Sequence, residues 1–364
     1  MKVAIIGTVG VPANYGGFET LVEQLVRHNK SDELQYAVYC SKKSYNDKRW
    51  VYHGAKTEYI GLNANGVQSI PYDIISLIRA ARKSDVILVL GVSGCAFLPI
   101  FRIFSKRRLI INIDGLEHRR DKWGKWTRRF LKFSEKQAVK YGDVIVTDNQ
   151  GITDYVKAEY GKDSQLIAYG GDHVLQNITQ TDACDILSQY GIEPNYYSLA
   201  ICRIEPENNV HIILDAFSRT PEKKLMFIGN WDRSVYGRNM VEKYSEYPNI
   251  KIQSAVYDLK ALHVLRSNCE YYVHGHSAGG TNPSLVEAMF FAKPIIAFDC
   301  IYNRESTEDK AEYFSSGDEL LQILNNDTMD FDKMQKQWLK LLIDGIHGKL
   351  SLDNMKICMV LNHK

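Results

Sequence analysis

Apolar residues in this chain fall into short runs separated by stretches of helical periodicity, and the two alternate from the start. Val3 to Thr8 is a run of the kind found in strands buried on both faces. A glycine-rich stretch follows, then FETLVEQLVRH, where Phe18, Leu21, Val22, Leu25 and Val26 recur at the spacing of one helix face. Further strands are predicted at Tyr36 to Cys40, Tyr59 to Leu62, Val86 to Leu90, Leu109 to Ile113, Val144 to Thr147 and Leu166 to Ala168, with a helix over Tyr72 to Arg82. A polar stretch over 176–194 interrupts the series and holds one short helix around Ile186, Leu187 and Tyr190. A second series then begins, with strands at Tyr197 to Cys202, Leu225 to Ile228, Ile250 to Ile252, Cys269 to Val273 and Ile295 to Phe298. Its helices are predicted from Val210 to Ser218, from Pro283 up to Lys293-Pro294, and from Gly317 to Leu324. Such alternation predicts mainly parallel sheets with helices on both faces. We expect an α/β chain of two doubly wound domains, 1–175 and 195–340, joined by a hinge over 176–194. Lys333 to Ile346 reads as helical, and no pattern fixes the path of the tail over 341–364.

Length agrees with two domains, since 364 residues exceed one ordinary core. The hydrophobic and charged fractions, 45% and 24%, are those of a folded soluble protein. A net charge of only +2 gives no global attraction to nucleic acid, so a local patch would have to supply it. The seven cysteines form no C-x-x-C pair and read as reduced core residues of a cytosolic protein. MKVAIIGT passes directly into a glycine-rich turn and reads as a first strand, not a signal peptide. Val86 to Phe104 approaches transmembrane length but contains Gly91, Gly94, Pro99 and Arg102, and is expected to be a buried strand, a turn and a short helix.

Candidate chemistry concentrates in His274 to Pro294, HGHSAGGTNPSLVEAMFFAKP. A buried strand empties into a loop of small residues that ends Gly279-Gly280-Thr281-Asn282. Asn282 is a good N-cap and Pro283 suits the first helical position. Unpaired N–H groups at such a helix start attract anions, phosphate above all. Glu287, a little over one turn inside, is placed to accept hydrogen bonds from sugar hydroxyls. Ser284 to Glu287 also fits the capping-box pattern S-x-x-E, in which Glu287 would only satisfy a backbone donor.

The first loop, Gly7 to Gly17, reads G-T-V-G-V-P-A-N-Y-G-G, which is not G-x-G-x-x-G, and no acidic residue ends the second strand, so NAD is not expected. Gly16-Gly17 either admits a phosphate or sugar close to the backbone or serves a tight turn. In Asn112 to Trp123, Asp114, Glu117 and His118 stand at a strand's carboxyl end, where active groups of open α/β sheets collect. They supply a base or a charge partner for an oxocarbenium-like centre, or else form a salt-linked loop with Arg119 and Arg120. Asp148 ends another strand and either caps the next helix or belongs to a site. Between these runs, Lys122, Lys125, Arg128, Arg129, Lys132, Lys136 and Lys140 interleave with Trp123, Trp126, Phe130, Leu131 and Phe133, Glu135 being the sole acid. A basic, aromatic helix suits an anionic bilayer surface, and an ordinary solvated helix is the alternative. No nucleic-acid-binding module accompanies the patch.

These motifs carry a resemblance. The segment from Glu287 through Ala288-Met289 to Lys293-Pro294 resembles the donor site of the retaining glycosyltransferase family 4, with Gly279 where that family has a first Glu. GTVGVPANYGGFET is similar to the amino terminus of a bacterial rhamnosyltransferase-like subgroup of polysaccharide assembly, which also carries segments matching D-G-x-E-x-x-R-x-K-W, D-N and Y-G-G-D. The resemblance implies the GT-B fold, two Rossmann-like domains facing a cleft. It implies that Gly16, Gly17 and Glu19 lie beside that cleft, that Asp114 lies near the reacting sugar and acceptor, and that Asp148 and Tyr169 are further site candidates. It places Arg203 on the donor diphosphate, where guanidinium geometry suits the contact, with Asn208 in place of the usual Lys. Gly280, Thr281 and Asn282 would meet the phosphates, and Glu287 the ribose or sugar hydroxyls.

The function so implied is retaining transfer of a sugar, L-rhamnose from dTDP-L-rhamnose, onto a polyprenyl-pyrophosphate-linked sugar in capsule, O-antigen or cell-wall polysaccharide assembly. The protein would be cytoplasmic and peripheral on the inner face of the membrane. In the mechanism usual for the family, the leaving diphosphate helps deprotonate the acceptor hydroxyl while Arg203 and backbone donors stabilise the charge on the phosphates. No D-x-D motif ends a strand, and neither a catalytic metal nor another cofactor is expected. A sugar-nucleotide epimerase of the same fold and a non-catalytic sugar-nucleotide-binding protein are the alternatives.

Overall fold

The structure, a computed structural model, describes residues 1–14, 16–113, 115–120, 123–326 and Lys336. In the N-terminal unit, Met1–Tyr169, the strands are β1 (Lys2–Ile6), β2 (Gln35–Ser41), β3 (Val51–Tyr52), β4 (Ala55–Ile60), β5 (Val86–Leu90), β6 (Arg108–Ile113), β7 (Val144–Thr147) and β8 (Gln165–Leu166). The helices are α1 (Gly17–Arg27), α2 (Ser69–Lys83), α3 (Leu98–Phe104), α4 (Lys125–Tyr141) and α5 (Gln150–Tyr160). The sheet order is β3-β4-β2-β1-β5-β6-β7-β8, parallel throughout apart from the β3–β4 hairpin. All five residues of β5 are buried, as a strand covered by helices on both faces requires. The strand order reverses between β1 and β5, and ligands of open α/β sheets bind outside the strand ends at such a point. Gly7, just after β1, has a φ of +83°, and a Cβ there would stand 2.1 Å from the Leu90 carbonyl oxygen, so glycine alone lets the chain leave β1 beside β5.

The second unit begins at Gly170, and the polar stretch over 176–194 lies inside it, folded as α6 (Gln180–Gln189) with a Thr179–Asp182 capping box. Then come β9 (Ser198–Ile201), α7 (Val210–Ser218), β10 (Leu225–Gly229), α8 (Val235–Tyr244), β11 (Ile250–Ser254), α9 (Leu259–Ser267) and β12 (Tyr272–His274). They are followed by α10 (Pro283–Met289), β13 (Ile295–Phe298), α11 (Ile301–Thr307), β14 (Glu312–Phe314) and α12 (Gly317–Leu324). The six strands are all parallel in the order β11-β10-β9-β12-β13-β14, reversing between β9 and β12. Alternate residues of β10 feed two apolar layers. Leu225 and Phe227 pack with Phe217, Trp231 and Phe314, whereas Met226 and Ile228 pack with Leu265, Tyr272, Leu285 and Met289.

Several elements differ from expectation. β3 and β14 are too short to leave a pattern, and α8, α9 and α11 are mixed in polarity. β4 starts at Ala55 instead of Tyr59 because its partly solvated face carries Lys56 and Glu58. α10 stops at Met289, short of Lys293. Val86 to Phe104 forms the expected buried strand, turn and short helix, β5 and α3, with Leu98 and Phe101 of α3 buried and Ile100, Ile103 and Phe104 exposed. No described helix is long and apolar enough to cross a membrane. The helix expected over 333–346 and the tail over 341–364 lie outside the described residues, apart from Lys336.

Candidate functional site

In the C-terminal unit the loops after β9 and β12 flank the point where strand order reverses, and side chains bind them into one structure. Asn209 Nδ2 donates to the Gly275 carbonyl at 2.9 Å, and Ser277 donates from N and Oγ to the Glu207 carbonyl at 3.0 and 2.8 Å. Asn208 Oδ1 lies 2.6 Å from His276 Nδ1, while its Nδ2 donates to the Arg203 carbonyl at 2.6 Å. A Cβ at Gly275 would meet the Asn208 carbonyl oxygen at 2.2 Å, so the close approach depends on that glycine. Asn208, in the position the resemblance gives to a Lys, is buried and occupied in tying the two loops. Arg203 is exposed, and among the described residues its guanidinium makes no ion pair.

At the start of α10, Asn282 accepts from the Ser284 N–H at 3.0 Å, with Pro283 as first helical residue. Ser284 Oγ donates to the Ile201 carbonyl at 2.8 Å and also bonds the Tyr272 hydroxyl, fixing the helix start to the end of β9 and the first residue of β12. Ser284 is therefore not the cap, and the capping-box reading of Glu287 does not hold. Glu287 instead pairs through Oε2 with Arg266 Nη2 from α9, and its Oε1 lies 3.3 Å from His173 Nε2. Burial by itself would raise the Glu287 carboxyl, yet the Arg266 guanidinium and then His173 hold it below the ordinary carboxylate range. The carboxylate is thus ionised, and its side chain keeps 15% exposure against 2% for Arg266. Gly279 takes a φ of +98°, Gly280 and Thr281 are partly buried, and Thr281 Oγ1 accepts from Ser306 Oγ at 3.4 Å.

Sequence reasoning missed Arg266 and His173. Arg266 sits beside Val264 and Leu265 on the buried side of α9, where a charged residue looks like a helix-end cation. His173 follows the Tyr169 to Asp172 motif directly, and only the turn over Asp172–Val174 carries it to Glu287. Two nitrogens of Arg266, Nε and Nη1, and Nε2 of His274 at the end of β12 are buried with no hydrogen-bond partner among the described residues. Burial pushes the His274 pKa down to about 3, so its ring is neutral.

In the N-terminal unit, Gly16 caps α1 in extended conformation and Gly17 begins it. Glu19 turns back under the loop, accepting from Thr8 Oγ1 and the Val9 N–H, both at 2.7 Å. Asp114 lies outside the described residues. Glu117 follows the salt-linked alternative, pairing with Arg120 at 2.9 Å and accepting from Trp123 Nε1 at 3.1 Å. His118 departs from it, since its Nδ1 lies 3.0 Å from Glu135 Oε2. Glu135 is 1% exposed and also accepts from the hydroxyls of Tyr155 at 2.8 Å and Tyr160 at 2.6 Å, with Lys132 Nζ at 3.5 Å. Glu135 is thus a buried hub, where the sequence offered only an acid in a basic helix. Asp148 is buried at the end of β7 and does not cap α5, because Asn149 does so by accepting from the Gly151 N–H at 2.9 Å. Tyr169 is buried at the end of the unit. Among the described residues, no group of three or more His, Cys, Asp or Glu is arranged to hold a metal ion.

Residues 1–172 match a family described as a domain of unknown function (DUF1972), and residues 185–317 match the family Glycosyl transferases group 1. No curated protein matches the chain. Sucrose-phosphate synthase from Thermosynechococcus elongatus aligns at 15% identity and a TM-score of 0.80, over 98% of each chain. Anabaena HepE, solved in complex with UDP and glucose, aligns at 15% identity and 0.74 over 100% of this chain and 99% of its own. A glycosyltransferase from Rickettsia africae aligns at 13% and 0.71, with the same coverage. At such identities the likeness carries the fold. Two family models, DUF1972 and then Glycosyl transferases group 1, thus match successive parts of a chain whose fold is GT-B.

Proposed function

We propose that the protein is a retaining glycosyltransferase that moves L-rhamnose from dTDP-L-rhamnose onto a polyprenyl-pyrophosphate-linked sugar, working from the cytoplasm at the inner membrane face. One observation carries the donor side of this reading: an exposed Arg203, with no ion pair among the described residues, and an ionised, partly open Glu287 stand at the β9–β12 reversal, inside the stretch that matches Glycosyl transferases group 1. A guanidinium there suits a diphosphate, and a carboxylate one turn along α10 suits ribose or sugar hydroxyls. That HepE was solved with UDP-glucose supports a nucleotide-sugar as the donor class. The rhamnosyl assignment rests on the resemblance of GTVGVPANYGGFET.

The membrane side rests on a surface. Trp126, Arg129, Phe133, Lys136 and Lys140 are exposed at spacings of three and four along α4, and the helix's one acid, Glu135, is buried. α3 packs beside α4 and exposes Ile100, Ile103 and Phe104. Apolar residues among cations, each worth about 1 kcal/mol near an anionic surface, suit a lipid headgroup layer. The deciding experiment is nucleoside-diphosphate release from dTDP-, UDP- and GDP-sugars, with and without a synthetic polyprenyl-pyrophosphate sugar, the lipid product being weighed by mass spectrometry. Acceptor-dependent release with a product heavier by one deoxyhexose supports the proposal. Release only without acceptor favours an epimerase or hydrolase, and no release with any donor rejects the transferase reading for these substrates.

A further inference from the structure

The Glu135 network has a direction. Glu135 accepts from Tyr155 and Tyr160 at one carboxylate oxygen, Oε1, and meets His118 Nδ1 at the other, Oε2. Lys132 closes the same side through Glu135, the Tyr155 hydroxyl and Glu159. Four donors around a carboxylate that is 1% exposed leave it acceptor-only, so the bridging proton must sit on His118. Arg119 stacks its guanidinium 4.8 Å above the Tyr155 ring, which packs beside His118 in turn. The His118 ring is therefore held on one edge, while Nε2 has no hydrogen-bond partner among the described residues and the side chain keeps 13% exposure.

We propose that Glu135 is a positioning residue that locks His118 in the Nδ1–H tautomer and so presents Nε2, with its lone pair, as an acceptor for a hydroxyl of the sugar or acceptor substrate. The clause about substrate rests on the glycosyltransferase reading above; the tautomer lock does not. Burial favours the neutral form of Glu135, but hydrogen bonds from His118, Tyr160 and Tyr155 keep its pKa below the ordinary value. The isosteric change Glu135→Gln reverses the lock. Its carbonyl stays with the two tyrosine hydroxyls, its NH2 faces His118, and Nδ1 must then accept, which puts the proton on Nε2.

Two measurements on the full chain test this. Two-bond nitrogen–proton spectra of histidine-labelled protein, with His118 signals identified by their loss in His118→Asn, are expected to show the Nδ1–H form in the unaltered chain and the Nε2–H form in Glu135→Gln. The same tautomer in both, or Nε2–H in the unaltered chain, overturns the lock. In the diphosphate-release assay, each single change is expected to lower turnover about 100-fold, within the range of a positioned acid–base group. Glu135→Gln added to His118→Asn is expected to cost less than about 2-fold more, because both act through one nitrogen. An undiminished further loss in the double variant means that Glu135 serves the fold and overturns the proposal. Unchanged turnover in His118→Asn removes the substrate clause and its glycosyltransferase premise for this ring, while the spectra still decide the lock.

Discussion

Replacing Glu287 tests the C-terminal site most directly, and the structure changes what the replacement must do. A capping glutamate could be lost for about 1 kcal/mol. Glu287 instead holds Arg266, whose guanidinium is 2% exposed and has no other partner among the described residues. Breaking a buried pair by removing one charge costs about 3–5 kcal/mol, since the other charge is left without compensation. For a unit of this size, about 2–4 °C of Tm is lost per kcal/mol, so Glu287→Ala is expected to lower the Tm of the C-terminal unit by roughly 6–20 °C. Adding Arg266→Met removes the stranded charge and should recover much of the loss. The pH dependence has a definite sign. The folded Glu287 carboxyl is lowered from its usual value. Its contribution is therefore complete above the unfolded carboxyl pKa of about 4.3 and is lost as pH falls through the lower folded value. The Tm gap between the unaltered chain and Glu287→Gln should thus hold from pH 7 down to about 5 and close below that. Calorimetry across pH, with and without nucleoside diphosphate, reads all of this. A Tm change under about 2 °C for Glu287→Ala, with nucleotide affinity intact, would refute both the buried pair and the ligand role.

Arg203→Ala should leave stability within about 0.5 kcal/mol, as for other exposed sites, and weaken nucleoside-diphosphate binding 10-fold or more in titration calorimetry, the scale of a hydrogen bond to a charged group. Unchanged affinity would remove Arg203 from the donor site. Asn208→Lys, which puts the related family's residue in place, should destabilise the unit by about 1–3 kcal/mol without tightening nucleotide binding, because it cuts the bonds to the Arg203 carbonyl and His276 and buries an ammonium. Tighter binding with an unchanged melting curve would contradict the loop tie. Ile103→Glu with Phe104→Glu should abolish flotation with anionic vesicles while leaving diphosphate release from soluble donors intact, and binding that survives both changes would put the contact elsewhere.

The alternation of apolar runs with helical periodicity determined that this chain forms two doubly wound domains, because burial on both faces of a parallel strand leaves a short, unbroken apolar run. It also located Gly16-Gly17, the 203–209 loop and the Gly279 to Glu287 segment, since strand-to-helix loops sit where the sheet order reverses. Local chemistry fixed Asn282 as a cap and Pro283 as the first residue of α10, both decided within a single turn. Tertiary structure alone decided the rest. Glu287 chooses Arg266 over a capping bond because α9 brings a buried guanidinium to it from 21 residues away in sequence. His118 and Glu135, 17 residues apart, meet only because β6 and α4 pack together. Which residues of α3 face outward, Ile103 and Phe104, and which are buried, Leu98 and Phe101, was likewise left to the packing. In each case hydrophobicity and local propensity depend on neighbours within a turn or two, whereas the partner of a buried charge is set by which elements the completed sheet places side by side.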